Sequence, residues 1–171
     1  MQIEYEMEIS AQEMFDFVCQ QTIEDYYMST EKIITKEDLH KGFKYKRRVV
    51  EMNAFGKKNR SEGTTAIIKE MKEPTVFALN MSSASLKTVL KYEITQDPQE
   101  EFFCKVKYTE EIYRNGKKEE EQKRRGFLFL KKSPEKDMLQ RMKRVEKYIN
   151  GERQRKFEEI RIENEENKTE E

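Results

Sequence analysis

The sequence predicts an α+β domain: a curved antiparallel sheet of about six strands, one or two short helices after the first strand, and a long C-terminal helix held by the sheet. Three observations carry this expectation. Residues 2–9 alternate strictly in polarity, further period-two segments separated by short turns run from Phe43 to Tyr113, and an apolar stripe at helical spacing runs from Met138 to Ile149. A chain of 171 residues suits one domain. At that size folding removes roughly 70% of the extended-chain surface from water. Only 35% of the residues are hydrophobic and 40% are charged, so the core has to come from periodic placement of the apolar residues.

In the first strand Ile3, Tyr5, Met7 and Ile9 share one side, and Glu4, Glu6 and Glu8 take the other. Such a strand is half-buried. Ser10-Ala11-Gln12-Glu13 has the form of a capping box, with Ala11, Met14, Phe15 and Val18 following at helical spacing, so a helix starts at Ser10. A second helical stretch is expected from Thr22, with Ile23, Tyr26, Tyr27 and Thr30 on one side.

The period returns to two after Gly42, where Phe43, Tyr45, Arg47 and Val49 share a face. Four more strands follow in Thr64 to Lys69, Thr75 to Met81, Leu86 to Thr95 and Phe102 to Tyr113. Connections this short suit hairpins of an antiparallel meander, since parallel strands need crossovers of a dozen or more residues. Asn115-Gly116 would support a tight hairpin if Lys118 to Leu130 were a strand, but the charge of Glu119 to Arg125 favours a solvated loop. Phe127 to Leu130 reads equally as strand or helix. Ser133-Pro134 marks the start of the long helix, and Gly151 is expected to end or kink it. The domain is therefore drawn as residues 1–150, with residues 151–171 a charged extension that is a fraying helix or disordered.

Lys plus Arg equals Asp plus Glu at 34 each, which argues against a nucleic-acid partner. No apolar run exceeds the four residues Phe127 to Leu130, against roughly 20 for a bilayer span, and the N-terminus lacks a signal-peptide pattern. The expected location is the cytoplasm, with no integral membrane contact. Cys19 and Cys104 are expected as buried apolar fillers rather than a disulfide. His40, the sole histidine, has no His or Cys at ligand spacing, so it is expected in solvent, with neither metal nor cofactor. Gly-x-Ser-x-Gly, phosphate-cradling and Cys-x-x-Cys motifs are absent.

The opening Ile3-Glu4-Tyr5-Glu6-Met7-Glu8-Ile9-Ser10-Ala11-Gln12-Glu13-Met14-Phe15-Asp16-Phe17-Val18, with the Met138-Leu139 to Tyr148-Ile149 stripe, resembles the START-related, birch-pollen-allergen-like superfamily, also called SRPBCC, whose fold is the helix grip. More narrowly, the chain resembles a bacterial family known only as a domain of unknown function. The resemblance covers about residues 1–150 and carries no universal catalytic signature. It implies a sheet curled around the long helix, leaving a cavity that relatives use for lipids, sterols, polyketides or other apolar molecules. Some relatives fill the cavity with side chains, and Hsp90 activators use the fold to contact proteins. Fold alone does not choose among these.

The apolar sheet face, comprising Phe77, Leu79, Met81, Leu86, Leu90, Tyr92, Ile94, Phe102, Cys104, Val106 and Tyr108, either meets Met142 and Val145 in a filled core or lines a pocket. Strand alternation carries two charged groups, Arg47 and Glu110, to that same side unless a β-bulge near Thr109 turns Glu110 out. The candidate ligand-binding residues are Arg47, Leu90, Tyr92, Val106, Tyr108, Glu110 and Met142. The leading reading is non-catalytic binding of a small apolar or amphipathic ligand between sheet and C-terminal helix. A protein-interaction or chaperone-activator-like module is the alternative, and a cyclase- or hydrolase-like enzyme the third.

Overall fold

The structure, a computed structural model, describes residues 1–48, 50–52, 58–60, 63–119 and 134–169. Strand β1 (Gln2–Met7) leads into helix α1 (Ala11–Thr30). A 3-10 turn at Lys36–Asp38 precedes β2 (Lys44–Arg47), and β3 (Val50–Met52) pairs with β4 (Lys58–Arg60) in a separate two-stranded sheet. The meander β5 (Thr64–Lys72), β6 (Val76–Ser82), β7 (Leu86–Gln96) and β8 (Cys104–Arg114) follows, then β9 (Lys117–Lys118) and the long helix α2 (Pro134–Thr169). The main sheet is antiparallel in the order β1-β8-β7-β6-β5-β2, with β9 also on β8. This is the expected helix-grip arrangement, with the first strand laid beside the last long one.

The capping box forms as read. Ser10 Oγ accepts from the Glu13 amide at 3.1 Å, and Glu13 accepts from the Ser10 amide at 2.8 Å. One prediction changes here: α1 runs unbroken for 20 residues, so the stretch from Thr22 continues it and is not a second helix. Thr22 stays inside because its hydroxyl donates to the Val18 carbonyl at 3.0 Å, which satisfies a buried polar group within the helix. The helix ends at Glu31, whose left-handed backbone (φ 61°) lets its amide close on Tyr27.

The core lies between the sheet, α1 and α2. Phe15, Met14 and Cys19 from α1 and Met138, Met142, Val145 and Ile149 from α2 meet Met7, Ile68, Phe77, Cys104 and Val106 from the sheet. Both cysteines are buried free thiols. Phe102 and Leu86, expected inward, are 44% and 37% exposed. Phe102 precedes β8 and carries the Arg153 guanidinium over its ring at 4.2 Å, while Leu86 is the first residue of β7.

A short hairpin forms at Asn115-Gly116, while the solvated loop expected for Glu119 to Arg125 lies, from residue 120 on, outside the described residues. Asn115 and Gly116 take positive φ, 49° and 76°, and Arg114 pairs with Lys117 across the turn. Helix α2 runs through Gly151 to Thr169, so Gly151 does not terminate it. The expectations for Phe127 to Leu130, for the Ser133 cap and for Val49 fall outside the described residues. No described helix is long and apolar enough to cross a membrane.

Helix α1 is fastened along its length. Arg153 of α2 donates to both carboxylate oxygens of Glu13, at 2.7 and 2.5 Å, and Gln96 of β7 accepts from the Ala11 amide at 2.7 Å. Lys36 bridges Asp16 and Glu73 midway. At the far end, Asp25 reaches β2.

Candidate functional site

The sheet alternation and the helical repeat of α1 converge on one open cleft. On α1, Phe17, Gln21, Glu24 and Met28 recur every three or four residues and so share a face, which overhangs the sheet. On the sheet side, antiparallel registry lines side chains up in rows. Leu79, Leu90 and Glu110 stand opposite one another on β6, β7 and β8, and Phe77, Tyr92 and Tyr108 form the next row. Strand β8 pairs with β7 from Cys104 to Arg114 with no register shift, so no bulge turns Glu110 away, and it lines the cleft.

The recess over the sheet is about 500 Å³, and a second one of about 750 Å³ opens between α1 and α2. Met14, Phe17, Met142, Val145 and Tyr148 give the second its apolar walls. Phe17, Gln21, Glu24, Tyr92 and Arg141 line both, so the two recesses are lobes of one trough. Arg141, from α2, and Glu24, from α1, stand exposed at the junction.

The polar side chains of the sheet lobe are Gln21, Thr22, Glu24, Asp25, Arg47, Glu110 and Arg141. Asp25 accepts from the Tyr45 hydroxyl at 2.6 Å and from Arg47 Nε, also at 2.6 Å, on its other oxygen. Arg47 Nη1 lies 3.5 Å from the sulfur of Met81. Burial, and then the Asp25 carboxylate, raise the Tyr45 phenol far above its ordinary range. Tyr45 therefore stays a neutral donor. Tyr92 and Tyr108 pack with ring centroids 5.0 Å apart. Burial pushes the Tyr92 phenol up to about 12, Arg141 pulling against the shift and Glu110 adding to it. Among the described residues no group of three or more His, Cys, Asp or Glu could hold a metal ion, and His40 is exposed, its ring set edge-on against Phe43.

Of the residues singled out by sequence, Arg47, Leu90, Tyr92, Tyr108 and Glu110 line the sheet lobe, and Met142 lines the interhelical one. Val106 lines neither lobe: it is fully buried in the core, opposite Tyr5 and Ile94. Sequence reasoning missed Asp25, Glu24, Phe17 and Arg141. The signal was there for α1, because Phe17, Glu24 and Met28 share a face once the helix is read through Thr22. No signal in the chain marks Asp25 as the partner of Arg47, which lies 22 positions away on another element.

The family described as Domain of unknown function (DUF3284) matches residues 1–143. The chain belongs to the DUF3284 family. The matched span of this DUF3284 chain takes in every lining residue contributed by α1 and the sheet, and from α2 it includes Arg141 and Met142 but stops before Val145 and Tyr148. No curated protein matches the DUF3284 chain. Among solved structures it is similar to the crystal structure of Ara h 8.0201, at 16% identity over 88% of this chain and 94% of the other, with a TM-score of 0.49. It is also similar to the protein of unknown function SA2116 from Staphylococcus aureus, at 14% identity over 88% and 83% of the two chains, with a TM-score of 0.43.

Proposed function

We propose that this DUF3284 domain is a binding module that holds a small amphipathic molecule in the trough formed by the sheet, α1 and α2, without turning it over. The observation that carries the reading is the composition of that trough. Two joined lobes of about 500 and 750 Å³ combine apolar and aromatic walls with polar and charged groups that converge on the same space, features of a small-molecule site. Arg47 and Glu110 orient the ligand from the floor, and Arg141 meets it at the rim. The same reading takes the family as a branch of the START-related, birch-pollen-allergen-like superfamily, on the order strand, helix, meander, long helix.

A thermal-shift screen of the purified domain against fatty acids, alkylamines, sterols and aromatic metabolites tests this. A molecule that binds only the native state raises the melting temperature in proportion to the logarithm of its concentration once it exceeds its Kd. At least one class is expected to do so, and to lose the effect when Leu90→Arg fills the sheet lobe. A screen with no shift in any class, repeated on protein stripped of co-purifying molecules by refolding, sinks the reading.

A further inference from the structure

Resting on that binding role, we propose that the interhelical lobe takes a single-chain amphiphile with an oxyanion head, a carboxylate or a phosphate monoester. The head docks on Arg141 and Arg144 of α2, and the chain lies against Met14, Phe17, Met142 and Val145. The two arginines are three positions apart on one helix, so they are surface neighbours, and both line the lobe. Among the described residues neither enters an ion pair; Arg144 Nε donates only to the carbonyl of Gln140 in its own helix, at 3.4 Å.

Cations and acids balance over the whole chain, so a local excess is informative. From Arg141 to Tyr148, α2 carries four cations, Arg141, Lys143, Arg144 and Lys147, and one acid, Glu146. That acid is engaged with the N-terminal strand and the turn after it, accepting from the Tyr5 hydroxyl at 2.9 Å and the Glu8 amide at 2.6 Å. On the facing wall, Glu24 accepts from Gln20 at 3.1 Å on one oxygen and from Gln21 at 3.0 Å on the other, so its carboxylate is bound within α1. The lobe therefore sets two guanidinium groups against a single carboxylate, while Asp25 and Glu110 line the sheet lobe alone. A guanidinium meets carboxylate or phosphate oxygens with parallel N–H donors, a match that neither an alcohol nor an amine offers. An ammonium head in this place would meet two like charges. Along α2 the lobe extends from Arg141 to Tyr148, about 10 Å at the helical rise, which suits a chain of eight carbons.

Four probes of equal chain length test the inference: octanoate, octyl phosphate, octanol and octylammonium, each titrated calorimetrically into the intact chain at low salt. At least one anion is expected to bind about fivefold more tightly than octanol, and octylammonium more weakly than octanol, the scale of preference that partly exposed charges supply. Whichever anion leads names the head. Added salt should shrink the preference. Replacing both arginines, Arg141→Gln with Arg144→Gln, should bring the anions down to the affinity of octanol and leave octanol unchanged. Lys147→Gln, which removes a cation of the same stretch that lines neither lobe, should leave the anion preference intact. Octylammonium binding as tightly as both anions, or an anion preference that survives the double replacement, overturns the inference while octanol binding keeps the trough as a site. Absence of binding by all four overturns both. The wild-type order of affinities alone decides if the double variant does not fold.

Discussion

Tyr45 donates its hydroxyl proton to Asp25 at 2.6 Å, and this contact, with that of Arg47 to the same carboxylate, joins the edge strand β2 to the second half of α1. Tyr45 is 6% exposed, so its hydroxyl has no solvent to turn to. Asp25→Ala leaves that donor and the Arg47 guanidinium unmatched and should cost roughly 1–3 kcal/mol in urea unfolding. Tyr45→Phe removes donor and need together and should cost less. A double-mutant cycle should return a coupling of at least about 0.5 kcal/mol; additive losses would mean the contact does not hold the helix.

The tyrosines make stability fall at alkaline pH in a defined window. Burial, then the Glu146 hydrogen bond, push the Tyr5 phenol from 10.0 up to about 12, and Tyr92 reaches about 12 through burial. A raised folded value means the protonated phenol is favoured in the native state. The resulting stability is fully present below pH 10.0 and is lost as pH climbs towards 12. Absorbance titration at about 295 nm, a wavelength set by tyrosinate, should show part of the native signal lagging the urea-denatured chain by up to two pH units. Superimposable curves would remove the prediction.

Two truncations should behave differently. Deleting residues 163–171 should leave the melting temperature nearly unchanged, because that stretch has no aliphatic or aromatic residue to offset its ordering entropy. Stopping after Asn150 also removes Arg153, which is 20% exposed, holds both oxygens of Glu13 and covers Phe102. That loss should cost about 1.5–3 kcal/mol, a drop of several degrees. Arg153→Ala should reproduce most of it. Equal melting temperatures for the two truncations would contradict the anchoring role.

Val145→Asp should abolish soluble expression or strongly destabilise the fold. Val145 is 9% exposed within the α2 stripe, and an unpaired carboxylate there costs several kcal/mol, in rough terms. Wild-type stability in this variant would mean that the sheet does not depend on α2.

Alternation and capping chemistry made much of this architecture legible in the chain. The strands, the capping box at Ser10 and the α2 stripe follow from periods of two and 3.6 residues, and those same periods brought Arg47 and Glu110 to the inner face. What failed were boundaries and distant partners. Gly151 sits inside α2 because a single helical glycine costs only about 1 kcal/mol relative to alanine, less than a continuous helix repays through contacts such as Arg153 to Glu13. Thr22 was misread for a similar reason, a polar residue made tolerable by its bond to Val18. Asp25 and Arg141 reach the cleft through tertiary placement, which leaves no local pattern. Phe102 was counted inward by extending the β8 alternation two residues too far.

The pairing of β1 with β8 sets the order in which this molecule can be assembled during synthesis. Gln2 lies opposite Thr109, and the Met1 carbonyl accepts from the Glu110 amide at 2.8 Å, so β1 is bound by a strand made about a hundred residues after it. Until β8 has left the ribosome, β1 has no neighbour in the sheet, and the buried side of α1 lacks much of its platform. The hairpins β5 to β8 close locally and are expected to form first, since short loops lose the least entropy. Nascent chains stalled before Cys104 should therefore carry an uncovered Ile3, Met7, Met14 and Phe15, a sticky surface that chaperones would find.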